Sequence, residues 1–165
     1  MVSDILLPFA PKYWPRVQEI YQHGILSRNA TFETEVPDFD AWDKKFHSHL
    51  RWVAISGNEV TGWAALSAVS PRKVYEGVAE ISIYIHPTHA GKGLGKLFME
   101  HLIAQSEVAG IWTLYASIFP ENTASIRLHE VFGFRKIGHR EKIAQLDGIW
   151  RDTALYEKRS KNIGV

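Results

Sequence analysis

The segment from Val78 to Phe119 constrains the fold more than any other part of the chain. Val78–Ile85 alternates between apolar and polar positions, which is typical of a strand with two different faces. A glycine-rich turn at residues 91–96 follows, then a run with helical apolar spacing that ends near Gly110, and then a β-branched and aromatic strand. A strand, a helix and a second strand in this order predict a right-handed parallel crossover.

Hairpins on either side of this crossover predict antiparallel pairing. Gly57-Asn58 separates strands predicted at residues 52–56 and 60–66, and Asp147-Gly148 joins strands predicted at 134–143 and 149–156. Shorter elements complete the order β-α-α-β-β-β-α-β-α-β-β: a strand at 5–7 and helices at 13–27, 39–50 and 122–132. We therefore expect an α/β fold with a mixed sheet covered by helices.

Composition excludes several classes of function. The 165 residues suit one domain, spanning 1–165, and the 19 basic against 18 acidic residues give no charge excess for nucleic acid. The absence of cysteine removes disulfides, thiolate metal sites and a cysteine nucleophile. No apolar run reaches the roughly 18 residues of a membrane span, and the N-terminus lacks signal-peptide features. We expect a cytoplasmic protein without a membrane partner, and no His/Asp spacing predicts a metal site.

The glycine turn predicts a phosphate ligand. Glycines let the backbone approach a ligand closely, and the amides of the following helix would point at one spot with Lys92 and Lys96 nearby. A dinucleotide fingerprint fails because its third glycine falls one residue early, at Gly95. A P-loop fails because Leu97 replaces the magnesium-binding Ser or Thr. The alternative is that the glycines only permit a tight turn.

Four sequence blocks resemble the GNAT superfamily of N-acetyltransferases, and within it the phosphinothricin or methionine sulfoximine acetyltransferase group. The blocks are residues 28–35, 79–85, 91–96 and 122–134, and the closing Trp150-Arg151-Asp152 also fits. They follow in order along nearly the whole chain, which makes the combined pattern specific. One departure is Ala90, where the superfamily usually has Gln or Arg, so a side-chain contact from that position is in doubt.

The resemblance implies a twisted sheet of about seven strands with about four helices, opened into a V between the fourth and fifth strands. Acetyl-CoA would lie in this V, with its pantetheine arm paired to the fourth strand and its pyrophosphate on the glycine turn. The residues implied for the coenzyme are Ile83, Tyr84, Ile85, Gly91, Lys92, Gly93, Leu94, Gly95, Lys96, Asn122 and Ser125.

Two residues are candidates for proton transfer. Glu80 is a carboxylate in an otherwise apolar strand, where burial would raise its pKa into a range useful for a general base. Its alternative is a structural ion pair with an arginine. His129 occupies the position where the superfamily often has an acid for the leaving thiolate, although a lone helical histidine is more often structural.

The resemblance also implies the acceptor and its site. The pocket would be built from Phe32, Glu33, Arg72, Tyr75 and Trp150, with Arg72 pairing with a carboxylate. Solvation of Arg72 and a core position for Phe32 are the ordinary alternatives. We expect acetylation of the α-amino group of a small amino acid or analogue by direct attack in a ternary complex, in a homodimer. A peptide acetyltransferase and a non-catalytic acyl-CoA-binding regulatory module are the rival interpretations.

Overall fold

The computed structural model describes residues 3–165. Met1 and Val2, which the single-domain prediction includes, lie outside the described residues. The strands are β1 (Ile5–Pro8), β2 (Phe46–Ser56), β3 (Glu59–Ala68), β4 (Val78–Ile85), β5 (Thr113–Ile118), β6 (Arg135–Leu146) and β7 (Ile149–Arg159). The helices are α1 (Trp14–Leu26), α2 (Phe39–Lys45), α3 (Leu94–Val108) and α4 (Thr123–Val131). No helix within residues 3–165 has the length and apolar character needed to cross a bilayer.

The seven strands form one sheet in the order β1-β2-β3-β4-β5-β7-β6. Every neighbouring pair is antiparallel except β4 and β5, which are parallel and joined through α3. The expected mixed sheet with one parallel crossover is confirmed, as are the two hairpins. The turn between β6 and β7 has positive φ at both of its central residues, Asp147 and Gly148, which suits a two-residue hairpin loop.

Two apolar cores lie on opposite faces of the sheet. One contains Val17, Ile20 and Ile25 of α1 with Trp42 and Trp63, and the other contains Phe98, Met99 and Leu102 of α3 with side chains from five strands. Both faces of β3 are therefore covered, and residues 60–67 are all buried. This explains why β3 reads as an apolar run without alternation, as strands covered on both faces do.

The predicted helix over residues 39–50 is too long. α2 ends at Lys45, and Phe46 and Leu50 belong to β2. A register shift between Phe46 and Arg51 separates them, so that Phe46 packs in the core beside α1 while Leu50 packs in the core beside α3. The apolar residues at three- and four-residue steps arise because this irregular strand is buried on both faces, and not because a helix continues.

The sheet opens between β4 and β5. Only three residue pairs join these strands, Val78 with Thr113, Ala79 with Leu114 and Glu80 with Tyr115. Beyond Glu80, β4 stays paired with β3 on its other side up to Ile85. Because β5 diverges there, this half of β4 has a free edge, and the fold contains the V that the resemblance implied.

Candidate functional site

A cavity of about 700 Å³ occupies this opening. One wall is the free half of β4, and the opposite wall is the end of β5 with Phe119. The start of α4, the loop at residues 29–33 and the last turns of α1 close its sides. The sheet thus supplies two opposite walls of the cavity, while the loop and the helices supply most of the polar side chains.

The free edge of β4 is suited to an extended ligand. Ile83, Tyr84 and Ile85 line the cavity and are paired with β3 alone. In an antiparallel pair, alternate residues turn their N–H and C=O groups away from the partner strand. Some of these groups therefore face the cavity, where an added extended chain can pair with them.

The glycine turn lies at the end of the same cavity. Gly91 is part of its lining, and α3 begins directly after Gly93, which has a φ of +89°. That conformation is costly for a residue with a Cβ. The first amides of α3 have no intrahelical acceptor, so they are available to an anion, as at other helix N-termini. The side chain of Leu94 is buried in the core, so only its backbone is available to a ligand.

Glu80 lies where the two strands part and lines the cavity. Burial raises the pKa of its carboxyl above the usual value, while the positive charge of Lys45 opposes this effect. Among the described residues, no cation approaches Glu80 within ion-pair distance, so the structural ion pair considered from the sequence is absent there. The carboxylate is free to accept a proton.

His129 lines the same cavity from α4 and is 6% exposed. Its Nδ1 lies 2.7 Å from the carbonyl oxygen of Ser125. Because a carbonyl can only accept, Nδ1 carries the hydrogen and Nε2 has a lone pair, and Nε2 has no hydrogen-bond partner. Burial lowers the pKa of His129, against the opposing effect of the Ser125 bond, so the neutral ring prevails at neutral pH.

Asn122 ties the start of α4 to the loop at residues 29–33. Its Oδ1 accepts from the amide of Ser125 at 3.2 Å and caps α4, and its Nδ2 donates to the carbonyl of Asn29 at 3.0 Å. No local sequence pattern indicates the bond to Asn29. Both Asn122 and Ser125 line the cavity, but the side chain of Asn122 is already engaged in these two bonds.

A second tie to this loop comes from β7. Arg151 lies over the ring of Phe119 at 4.0 Å and donates to the carbonyl of Arg28 at 2.9 Å. Arg28 in turn pairs with Asp147 of the β6–β7 turn at 2.9 Å. The two contacts of Arg28 join residues more than a hundred positions apart, and no local pattern in the sequence reveals them.

Two stacked tyrosines form part of the wall beside α1. Tyr21 and Tyr84 lie with ring centroids 4.8 Å apart, and Trp63 stacks on both. Gly24 makes room for this stack, since a Cβ there would come within 2.6 Å of the Tyr84 ring. Burial raises the pKa of Tyr21 to about 12 and raises the pKa of Tyr84 as well. Both hydroxyls therefore remain protonated and able to donate.

The predicted acceptor residues divide into two groups. Phe32 and Glu33 line the cavity, and Phe32 packs edge-on against Phe119 at 4.8 Å. Arg72, Tyr75 and Trp150 are absent from the lining, as are Lys92, Gly93, Leu94, Gly95 and Lys96 of the turn. Arg72 lies over the ring of Tyr75 at 5.4 Å, and Tyr75 and Trp150 are 45% and 55% exposed.

Lys45 is a cavity residue that the sequence analysis did not identify. Among residues 3–165, it is the one lysine or arginine in the lining. It lies at the end of α2, at the junction with β2, which the sequence analysis placed inside a longer helix. With the helix boundary misplaced, its position beside Glu80 could not be anticipated.

Comparison with known proteins agrees with this geometry. The model of the acetyltransferase (GNAT) family matches residues 12–134. The L-methionine sulfoximine/L-methionine sulfone acetyltransferase of Salmonella typhimurium is 30% identical over 86% of this chain and 85% of its own length. The phosphinothricin N-acetyltransferase of Alcaligenes faecalis is 30% identical over 87% of this chain and 76% of its own.

A solved structure extends the agreement to three dimensions. A phosphinothricin acetyltransferase of the GNAT superfamily from Sinorhizobium meliloti, solved in complex with acetyl-CoA, superposes with a TM-score of 0.86 at 27% identity. The match covers 94% of this chain and 88% of that one. The family match spans most of the chain, and the superposition covers nearly all of the fold. This chain belongs to the GNAT family of acetyltransferases.

Proposed function

We propose that this protein transfers the acetyl group of acetyl-CoA to the α-amino group of a small amino acid or amino-acid analogue. The observation that carries the proposal is the position of Glu80 at the point where β4 and β5 part, as a half-buried carboxylate with no ion-pair partner among residues 3–165. The relatives named for methionine sulfoximine, methionine sulfone and phosphinothricin supply the acceptor class.

The residues of the opening fit acetyl-CoA. The free edge of β4 from Ile83 to Ile85 pairs with the amide-rich pantetheine arm, and the first amides of α3 hold the pyrophosphate. Lys92 and Lys96 add positive charge at the turn. The coenzyme supplies an activated acetyl thioester whose carbonyl is open to attack.

Glu80 accepts a proton from the attacking amine, directly or through one water. An ammonium group has no lone pair, so the acceptor must lose this proton before its nitrogen bonds to the thioester carbonyl carbon and the carbon–sulfur bond breaks. With no cysteine in the chain, we propose direct attack in a ternary complex. The hydroxyls of Tyr21 and Tyr84 remain protonated and add donors to the same wall.

His129 starts the reaction as a neutral ring. Its Nδ1–H is bound to Ser125, so Nε2 presents a lone pair and not a proton. We propose that His129 returns a proton to the leaving thiolate only after taking one up during the reaction. This keeps the acid role predicted from the sequence but makes the protonated ring a transient state.

The charges of the cavity suit a zwitterionic acceptor. Glu33 and Glu80 attract the amino group of the acceptor, and Lys45 offers a cation for its carboxylate. Lys45 thus takes the role that the sequence analysis gave to Arg72. The rings of Phe32 and Phe119 pack beside them and can contact an apolar side chain. A small amino acid or amino-acid analogue suits this combination of charges and apolar rings.

We further propose a cytoplasmic homodimer formed by the single domain. Apolar side chains on β6 and β7 support the dimer, since Ile137, Ile143, Ile149 and Trp150 are all exposed. Sedimentation analysis at several protein concentrations tests the oligomeric state separately from catalysis.

The test of the function is thiol release from acetyl-CoA with a panel of acceptors. Methionine sulfone, methionine sulfoximine and phosphinothricin should be acetylated in preference to a polyamine, an aminoglycoside and a peptide. Binding of acetyl-CoA by calorimetry without turnover of any acceptor would favour the regulatory module. Turnover confined to the peptide or polyamine would reject the proposed acceptor class.

A further inference from the structure

Three side chains with metal-binding atoms meet beside the cavity, outside the residues assigned to acetyl transfer. Glu19 and His23 are four positions apart on α1 and so share one face of the helix. His86 directly follows β4 and lies against them. One candidate atom from each residue lies within 4.8 Å of those of the other two, and no other such group occurs in residues 3–165.

The three side chains are close enough to reach one ion if they turn. His86 Nε2 lies 3.9 Å from Glu19 Oε1, and a ring nitrogen of His23 lies within 4.8 Å of the ligand atoms of both. Two ligand atoms about 2.05 Å from a tetrahedral zinc ion are about 3.3 Å apart. Glu19 is about half exposed, so its carboxylate can close the remaining gap of about 0.6 Å by turning.

A neighbouring hydroxyl orients His86. Its Nδ1 accepts from the amide of Thr88 at 3.3 Å and also lies 2.8 Å from Thr88 Oγ1, which is 2.9 Å from His89 Nδ1. A bound ion would select the other tautomer, in which Nδ1–H donates to the Thr88 hydroxyl and Nε2, 3.9 Å from Glu19 Oε1, has a free lone pair. Histidines that bind metals commonly donate their other ring N–H to an oxygen in this way.

Arg16 is the charge that opposes a cation here. Its guanidinium pairs with Glu19 at 2.8 Å and also with Glu59, and its Nε donates to the carbonyl of Val60 at 3.0 Å. Because the carboxylates of Glu19 and Glu59 share this one guanidinium, the group of Arg16, Glu19 and Glu59 carries a net charge of −1.

We propose that Glu19, His23 and His86 form a binding site for a divalent transition-metal ion, with Thr88 positioning His86. Two imidazoles and one carboxylate suit Zn²⁺ and leave a coordination position for water. His23 and Pro87 line the cavity, so the ion lies at its margin. The sequence analysis expected no metal site. His86 is far from Glu19 and His23 in the sequence, and it approaches α1 only in the folded sheet, where β4 pairs with β3.

Calorimetric titration of the full chain with Zn²⁺, after treatment with a chelator and its removal, tests the site. We expect one ion per chain, and Co²⁺ should give the visible absorption of a nitrogen- and oxygen-bound ion. Each of the variants Glu19→Gln, His23→Ala and His86→Ala should bind Zn²⁺ at least about tenfold more weakly, and Thr88→Val about tenfold more weakly.

His139→Ala is the matched control. His139 is also a surface histidine beside a carboxylate, with Nε2 2.8 Å from Asp152 Oδ2, but it lacks a third ligand. Its replacement should leave Zn²⁺ affinity unchanged. Circular dichroism confirms that each variant is folded, and the surface variant Thr88→Val serves if a histidine variant is not. The proposal is overturned if Zn²⁺ binds with unchanged affinity to all of the Glu19, His23, His86 and Thr88 variants. It is also overturned if His139→Ala abolishes Zn²⁺ binding. Because the readout is metal binding, the result is independent of whether the proposed acetyl transfer is correct.

Discussion

Replacing Glu80 by glutamine tests the assignment of the general base. Gln has the same length and shape, and Glu80 is held on both sides by the register with Ser67 of β3 and Tyr115 of β5. The substitution should therefore leave the strand in place and remove only the capacity to accept a proton. A change in activity can then be attributed to proton transfer.

The expected loss lies at the lower end of what general bases contribute. Such groups typically give 10²- to 10⁴-fold in rate. Burial raises the pKa of Glu80 and makes it a stronger base, but Lys45 partly cancels this effect. We expect kcat to fall by about 100-fold at neutral pH, which corresponds to about 2.7 kcal/mol in activation free energy, while the KM for acetyl-CoA stays within about twofold.

The pH profile gives the second readout. The carboxylate is present only above the pKa of Glu80, so in the parent protein the rate should rise through that pKa, which lies above the ordinary value for glutamate. In the variant, the rate should depend on the fraction of free amine alone. It should increase about tenfold per pH unit below the pKa of the acceptor's amino group, and the difference between the two proteins should shrink at high pH.

The assay is thiol release at saturating acetyl-CoA between pH 5 and 10, with methionine sulfone as acceptor. Glu33→Gln is the matched control, since Glu33 also lines the cavity but is assigned to acceptor binding. Its replacement should change the KM for the acceptor more than kcat. If Glu80→Gln retains activity within about threefold and keeps the parental pH profile, Glu80 is not the base.

Further predictions concern the acceptor, the glycine turn and the core. Lys45→Met should raise the KM for an amino acid about tenfold and leave the KM for an amine without a carboxylate unchanged. It should also move the acidic limb of the pH profile to higher pH, because Lys45 lowers the pKa of Glu80. Arg72→Met, outside the cavity, should change neither the KM nor the pH profile. Gly93→Ala should cost about 1–2 kcal/mol of unfolding free energy at its φ of +89° and weaken acetyl-CoA binding in calorimetry, whereas Gly57→Ala, at a φ of +61° far from the cavity, should show only the stability loss. Phe98→Ala should lower the unfolding free energy by about 3–5 kcal/mol in urea titrations, because Phe98 is fully buried.

The order of elements was predictable because most of it depends on local patterns. The alternation of β4, the glycine turn and the apolar stripe of α3 each occupy one short segment, and the structure places all three as expected. The end of α2 was misplaced because β2 is buried on both faces around an irregularity, and Phe46 and Leu50 then imitate helical spacing. A single sequence does not show which face of such a strand is covered.

The candidate site was predictable only in part, for a related reason. Glu80, His129 and the free edge of β4 lie in the blocks that resemble the GNAT superfamily, and the structure brings them to one cavity. Lys45 and the tyrosine stack reach that cavity through the packing of α1 and α2 on the sheet. Arg72 looked suitable by residue type, but its loop directs it over Tyr75.

The long-range ties to the loop at residues 29–33 have a consequence for changing which acceptor the protein takes. Arg151 and Asp147 of the β6–β7 turn hold Arg28, which directly precedes this loop, and Asn122 at the start of α4 holds Asn29. This part of the cavity wall therefore depends on residues that are far apart in the sequence. Grafting the loop alone from a relative would leave it without its anchors, so a chimera must carry the matching hairpin to transfer selectivity.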